Sequence, residues 1–209
     1  MALFITFEGG EGSGKSVQAW TLYRRLSKLA VPVVLTHEPG VTPLGKKIAH
    51  WLKWGQDIDI SPVTELLLFN ASRAQLVSEI IKPDLESGKV VICDRFTDST
   101  IAYQGYGRGL DLTLVKSVNS TAVQGLKPDL TVILDLPVET GLTRKRGCKP
   151  DRFEQEDIAF HRRVREGYLK LSGGKPGHWL TVDAVQSREK IADIIWRKVS
   201  QLLSHCNQR

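Results

Sequence analysis

Short apolar runs punctuate this chain. Residues 2–7 (Ala-Leu-Phe-Ile-Thr-Phe), 32–36, 89–93, 130–135 and 179–182 are apolar with little alternation. Runs of that length read as strands, and continuous apolar character predicts a sheet covered on both faces. Between the runs, apolar positions recur at helical spacing, over about 16–29, 43–54, 62–82, 111–124, 138–146, 154–171 and 187–204. Strands alternating with helices predict a parallel sheet with right-handed crossovers. Ligands of such sheets collect beyond the carboxyl ends of the strands. That rule gathers the Gly-rich segment after the first strand, Glu38, Asp94 and Asp135 along one edge. No repeat, low-complexity tract or linker interrupts the pattern, so one domain over residues 1–209 is expected.

Composition narrows the class. A length of 209 residues is enough for one sizeable core. No apolar run is long enough to cross a bilayer, and no basic segment precedes an apolar leader. Cys93, Cys148 and Cys206 are odd in number and far apart, which fits neither a disulfide framework nor a metal-ligand spacing. Reduced thiols and a cytoplasmic location are the simple expectation. The net charge of +6 raises the question of nucleic acid, but much of it is local. Arg144, Lys145, Arg146, Lys149 and Arg152 face one acid, Asp151, giving a net +4 within nine residues. Such a cluster suits a polyphosphate at least as well as a duplex.

The chemistry starts at Gly9-Gly-Glu-Gly-Ser-Gly-Lys-Ser16, which matches G-x-x-x-x-G-K-[ST] between a strand and a helix. The elements of this phosphate-binding loop are Gly9, Gly10, Glu11, Gly12, Ser13, Gly14, Lys15 and Ser16. The glycines let backbone N–H groups turn inward, and the helix N-terminus adds its positive end. Lys15 then reaches the β/γ phosphates, and the Ser16 hydroxyl holds Mg²⁺. The loop predicts a nucleoside triphosphate ligand. Asp94-Arg95-Phe96 follows a strand, where the acid can serve a metal shell and Arg95 the phosphates; a plain strand-end cap is the alternative. Ser99 to Gly105 follows as a polar and aromatic segment, with Tyr103 and Gln104 placed where an acceptor should sit. Phe69 and Arg73 lie one helical turn apart, an aromatic plate beside a forked donor, which suits a nucleobase. The alternative puts Phe69 in the core and pairs Arg73 with an acid such as Glu65. The basic stretch at about 144–153, broken by Gly147 and Pro150, reads as a lid that brings cations to a transferring phosphoryl group.

Together, Glu8-Gly-Gly-Glu-Gly-Ser-Gly-Lys15, His37-Glu-Pro-Gly40, Phe69 with Arg73, Asp94-Arg95-Phe96, Ala102-Tyr-Gln-Gly105 and Asp151-Arg-Phe-Glu154 resemble the thymidylate kinase family in order and spacing along nearly the whole chain. The resemblance implies an α/β, three-layer P-loop fold with a five-stranded parallel sheet flanked by helices. It implies phosphoryl transfer from ATP to dTMP with Mg²⁺, held by Ser16 and Asp94, in a homodimer that binds neither nucleic acid nor membrane.

Carried over by residue, Phe69 resembles the base-stacking ring, Arg73 the donor to the base O4, and Arg95 the arginine on the acceptor phosphate. Glu11 resembles the acid beside the acceptor sugar, and Tyr103 the residue beneath the deoxyribose. Ser99, Thr100 and Gln104 fall along the base edge, with Glu38 in the acceptor site and a cis bond at Glu38–Pro39. Arg144 and the turn at Val185 flank the adenine. Some members carry an arginine in the loop where Gly12 stands here. This chain resembles the bacterial form, in which the lid supplies the charge, with Arg152 first and Arg146 second. His37 in place of arginine, Val41 in place of a second glycine and Ser16 in place of threonine depart from the pattern. The rivals are a P-loop kinase of another nucleoside monophosphate or of a deoxynucleoside, a GTP switch (which lacks its Asn-Lys-x-Asp reader here), and a basic nucleic-acid-binding protein.

Overall fold

The computed structural model describes residues 2–55, 58–145, 149–173 and 178–206, with His205 and Cys206 described by backbone alone. Five strands, β1 (Leu3–Glu8), β2 (Val33–His37), β3 (Val90–Asp94), β4 (Leu130–Asp135) and β5 (Trp179–Asp183), form one sheet in the order β2-β3-β1-β4-β5. Every pairing is parallel. The α/β class and the five-stranded parallel sheet are therefore as the sequence implies.

Strand side chains alternate between two covered faces. Leu3, Ile5 and Phe7 of β1 join Val90, Ile92, Val132 and Leu134 against α1 (Lys15–Lys28) and α9 (Arg188–Cys206), which contribute Leu22, Leu26, Ile191 and Ile195. Phe4, Val91 and Cys93 point the other way, onto Leu76, Val77 and Ile81. Ile133 packs there with Tyr103, Phe160, Val164 and Tyr168. With both faces apolar, a strand has no polar face to expose, which is why the runs do not alternate.

The other helices are α2 (Pro43–Trp54), α3 (Pro62–Leu76), α4 (Lys82–Glu86), α5 (Thr97–Thr100), α6 (Leu112–Val123), α7 (Val138–Arg144) and α8 (Ile158–Ser172). Ser61 caps α3 by accepting from Thr64 N–H, with Pro62 at the first helical position. The expected helix over about 62–82 is real but longer. It passes through a π-helical turn, Val77–Ile81, into α4.

Two expectations need correction. The helix expected from about residue 154 begins at Ile158, because Asp157 accepts from Phe160 N–H at 2.6 Å and caps it there. Asp151 instead ties residues 153 and 154 into a turn through its Oδ1. The segment after Asp94-Arg95-Phe96, read only as polar and aromatic, is helical: α5 continues as a π-helix, Ile101–Gly107. Gly107 allows that approach, since a Cβ there would lie 2.6 Å from the Phe160 ring.

Candidate active site

The carboxyl ends of the strands open into a cleft of about 920 Å³. Glu11 to Lys15 and Ser16 line it from the β1–α1 loop, His37 and Glu38 from the end of β2, Asp94 and Arg95 from the end of β3. Gly9 and Gly10 shape the loop without lining the cleft; Gly9, Gly12 and Gly14 all have positive φ. Asp135 is the exception to the expected gathering of acids. Arg165 of α8 holds it through two bonds, 2.7 and 2.9 Å, and it does not line the cleft.

Lys15 is buried in the loop, its Nζ donating to the Gly10 carbonyl at 2.7 Å. Burial, then the nearby Arg95 charge, lowers it to about 8. Ser16 Oγ donates to Asp94 Oδ2 at 2.5 Å, while the buried Asp94 Oδ1 has no hydrogen-bond partner among the described residues. A hydroxyl and a carboxylate with one unsatisfied oxygen are hard donors, fit for a divalent cation shared with phosphate and water. Among the described residues no group of three or more acids, histidines or cysteines is built to hold a metal by itself.

Arg95 sits in the left-handed region at φ 72°, an uncommon conformation for a residue with a side chain. Its N–H bonds the Phe7 carbonyl at 2.9 Å, which fixes the turn. Its Nη2 donates to Glu11 Oε1 at 2.6 Å and to the Tyr103 hydroxyl at 3.2 Å. The same Glu11 oxygen accepts from Tyr103 OH at 2.6 Å. Burial alone would raise Glu11; the Arg95 and Lys15 charges outweigh it and hold the carboxyl far below the usual range. Arg95, Glu11 and Lys15 thus meet at the centre of the cleft.

One end of the cleft suits a base. Phe69, Thr100, Tyr103 and Gln104 line it, together with Phe153, whose ring centroid lies 5.6 Å from that of Phe69. Phe153, inside the Asp-Arg-Phe-Glu string, was not singled out from sequence. Arg73 lines this end too, but it is not a free fork. Its Nε and Nη2 grip Glu38, Nη1 donates to Asn70 and Asn119, and Nη2 also donates to the Phe96 carbonyl. All five of its N–H groups are engaged, so a base oxygen must share one of them. Arg73 pairs with an acid, as the alternative reading held, but with Glu38 rather than Glu65. The Glu38–Pro39 bond is cis. Val41 packs half-buried on the second apolar cluster, and His37 lines the cleft beside Asp94.

At the other end, Arg144 bridges the Gly12 and Ala184 carbonyls at 3.3 and 3.2 Å. Ala184, Gln186 and Arg188 line this end; Val185 is 58% exposed and does not.

Arg152 is not among the lining residues. Its Nε donates to the Leu52 carbonyl at 3.0 Å and its Nη2 to Glu65 at 2.5 Å. Glu65, fully buried, also holds Gln104 and Arg108. Lys145, counted in the basic cluster but not chosen there as the lid cation, lines the cleft; its Nζ is 2.6 Å from Glu154, and its charge acts on Glu11. Arg146 lies outside the described residues, as do Gly147 and Cys148. The absence of a loop arginine has a steric cause. A Cβ at Gly12, φ 66°, would fall 2.1 Å from the Gly141 carbonyl oxygen on α7.

Residues 7–195 match the family model "Thymidylate kinase". A thymidylate kinase of Dehalococcoides mccartyi (strain CBDB1) is 54% identical over 208 residues, covering all of both chains. One from Halothermothrix orenii is 52% identical, covering 96% of this chain and 98% of that one. The crystal structure of a thymidylate kinase from Ehrlichia chaffeensis superposes with a TM-score of 0.72 at 37% identity, covering 86% of this chain and 91% of that one.

Proposed function

We propose how this chain, which belongs to the thymidylate kinase family, uses its cleft to move the γ-phosphate of ATP to dTMP. The observation that carries the assignment of sides is the cleft's polarity: a phosphate loop and Arg144 at one end, an aromatic slot at the other, and Lys15, Arg95 and Glu11 between. ATP lies along residues 9–16, with its base near Arg144 and the Ala184–Arg188 turn. dTMP lies with its base against Phe69 and Phe153, its edge toward Thr100 and Gln104, and its sugar by Tyr103. Its phosphate meets Arg95, with Ser99 and the Arg73–Glu38 pair behind.

An acceptor phosphate oxygen is already anionic, so attack on the γ-phosphorus needs no general base; it needs cations that hold two polyanions together. Arg95, clamped by Glu11, brings the acceptor phosphate up. Lys15 leaves the Gly10 carbonyl for the triphosphate. Lys145 is our first choice for the lid cation, because it already lines the cleft. Arg152 would have to leave Glu65 and the Leu52 carbonyl to reach the phosphates, and Arg146 is the other lid arginine. Mg²⁺, when bound by Ser16 and Asp94, neutralises phosphate charge. Tyr103, beneath the sugar, crowds a 2′-hydroxyl.

One domain carries both nucleotides. Among the described residues no helix is long and apolar enough to cross a membrane. We assign the enzyme to the cytoplasm, where dTTP precursors are used for DNA synthesis. Val63 and Leu67 on α3 and Leu114 on α6 are apolar residues 45%, 52% and 43% exposed, and none of the three lines the cleft. Burial of these against a second copy fits a homodimer. Light scattering behind a sizing column should give twice 23.3 kDa; a monomer at tens of micromolar would remove the dimer.

The activity is tested by coupled ADP release across a panel of nucleoside monophosphates. dTMP should be the best acceptor, with dCMP and dGMP at least about a hundredfold lower in kcat/KM, a loss typical of unpaired polar groups in a base slot. Equal use of dCMP would send the reading to another monophosphate kinase.

A further inference from the structure

Two carboxylates flank Arg95. Glu11 binds it directly. Glu8, the last residue of β1, never touches it, and the reaction described above does not use it. Glu8 is fully buried. Its Oε1 accepts from the backbone N–H of Phe96 at 2.7 Å and of Ser99 at 3.3 Å. Its Oε2 accepts from the hydroxyls of Ser99 at 2.6 Å and Tyr168 at 3.0 Å. An ionised carboxylate has no proton to give, so both hydroxyls turn their hydrogens toward it. Their lone pairs are thereby left for Arg95 Nη1, which lies 3.3 Å from Ser99 Oγ and 3.4 Å from Tyr168 OH. The Gly9 carbonyl, at 3.4 Å, completes the set. These are long, weak bonds beside the 2.6 Å grip of Glu11 on Nη2. They aim Nη1 without saturating it.

We propose that Glu8 is a positioning residue for the acceptor side of the reaction: acting through the hydroxyls of Ser99 and Tyr168, it fixes the direction in which Arg95 Nη1 is offered to the acceptor's phosphate. The inference rests on the reading that Arg95 holds that phosphate. Tyr168 belongs to the same device, since its hydroxyl relays the orientation from α8.

The test uses variants that change hydrogen-bond direction more than shape. In Glu8→Gln the carbonyl must stay on the two backbone N–H groups, so the NH₂ takes the place of Oε2 and donates to both hydroxyls. The two hydroxyl protons then have only each other's oxygens, and one is turned toward Arg95, donor against donor. Tyr168→Phe removes one hydroxyl and keeps the ring, which packs edge-on to Tyr103 at 6.4 Å. Burial and the neighbouring Asp98 push Glu8 up to about 7, so the assays are run at pH 8, where it is ionised.

Each single variant should raise KM for dTMP about tenfold, the scale of one lost charge-assisted bond, with KM for ATP within about twofold of the parent. The double variant should be no worse than Glu8→Gln alone, because both changes act through the same hydroxyl. Effects that multiply in the double variant, or that fall equally on ATP, would overturn the proposal. If Glu8→Gln does not fold, Tyr168→Phe and Ser99→Ala decide alone. KM for dTMP within twofold of the parent in both overturns it; a rise of several fold in both upholds it. Parent enzyme that releases no ADP with dTMP would sink the functional reading instead, which keeps the two failures apart.

Discussion

At Lys15 the ammonium is satisfied by its own loop, through the Gly10 carbonyl and, at 3.4 Å, Ser13 Oγ. It has a local partner while it waits for phosphate, so removing it leaves no buried charge stranded. Lys15→Ala should melt within a few degrees of the parent and lose at least about a thousandfold in kcat, as expected for a group that neutralises developing charge. Near-parent turnover would remove Lys15 from the chemistry. Lys15 and Ser16 were legible in the sequence because everything that defines them lies within eight residues. Glu8 was quoted there only as the residue before the loop. Its partners, Phe96, Ser99 and Tyr168, are 88 to 160 positions away, and no local pattern announces them.

The burial of Glu8 makes a prediction at the same scale. Its folded value of about 7 lies above the ordinary 4.5 because of burial and then Asp98. Between those values the folded state holds a proton that the unfolded state has lost. This group's contribution to stability is therefore greatest below pH 4.5 and is lost as pH rises toward 7, with a slope of at most about 1.4 kcal/mol per unit. Denaturant unfolding of parent and Glu8→Gln between pH 5 and 7.5 should show the difference between the two curves changing in that sense; parallel curves would contradict it.

At the scale of elements, the loop, α7 and the lid act on one another. The phosphate loop packs so closely on α7 that Gly12 and Gly141 leave no room for side chains: a Cβ at Gly141 would lie 2.2 Å from the Glu11 carbonyl. A loop arginine is thus excluded by α7, and any cation beyond Lys15 has to come from outside the loop. The lid's basic character was legible, but which cation faces the cleft was not. Arg152 is drawn to Glu65, 87 residues earlier, a buried acid whose importance no local spacing reveals. Lys145→Ala should lower kcat at least tenfold with little change in KM for dTMP, whereas Arg152→Ala should act more on KM for dTMP, since Glu65 also holds Gln104 at the base end. Equal, purely kcat-directed losses in both variants would return Arg152 to the phosphates. The helix through Ile101–Gly107 was not read from sequence, because its two glycines are weak helix formers; in the fold they make room for Leu112 and Phe160.

Over the whole molecule, the sheet order β2-β3-β1-β4-β5 brings the ends of β1 and β3 together. Glu8 and Asp94, 86 positions apart, thereby share one centre. The sequence carried the fold well, since five unalternating apolar runs are a global signal of a parallel sheet. It carried the two ends of the cleft that we propose for the nucleotides, through the loop and through Phe69. It did not carry the buried network that ties Arg95 to both Glu11 and Glu8, which exists only once the chain is folded.

The central claim is that this one cleft passes a phosphoryl group directly from ATP to dTMP. It is tested most directly by incubating the protein with γ-labelled ATP, dTMP and Mg²⁺ and separating the products. The label should appear in dTDP, in amounts equal to the ADP formed, and should fall to background in Lys15→Ala. Label released as inorganic phosphate, or carried by another nucleotide in preference to dTMP, would contradict the account.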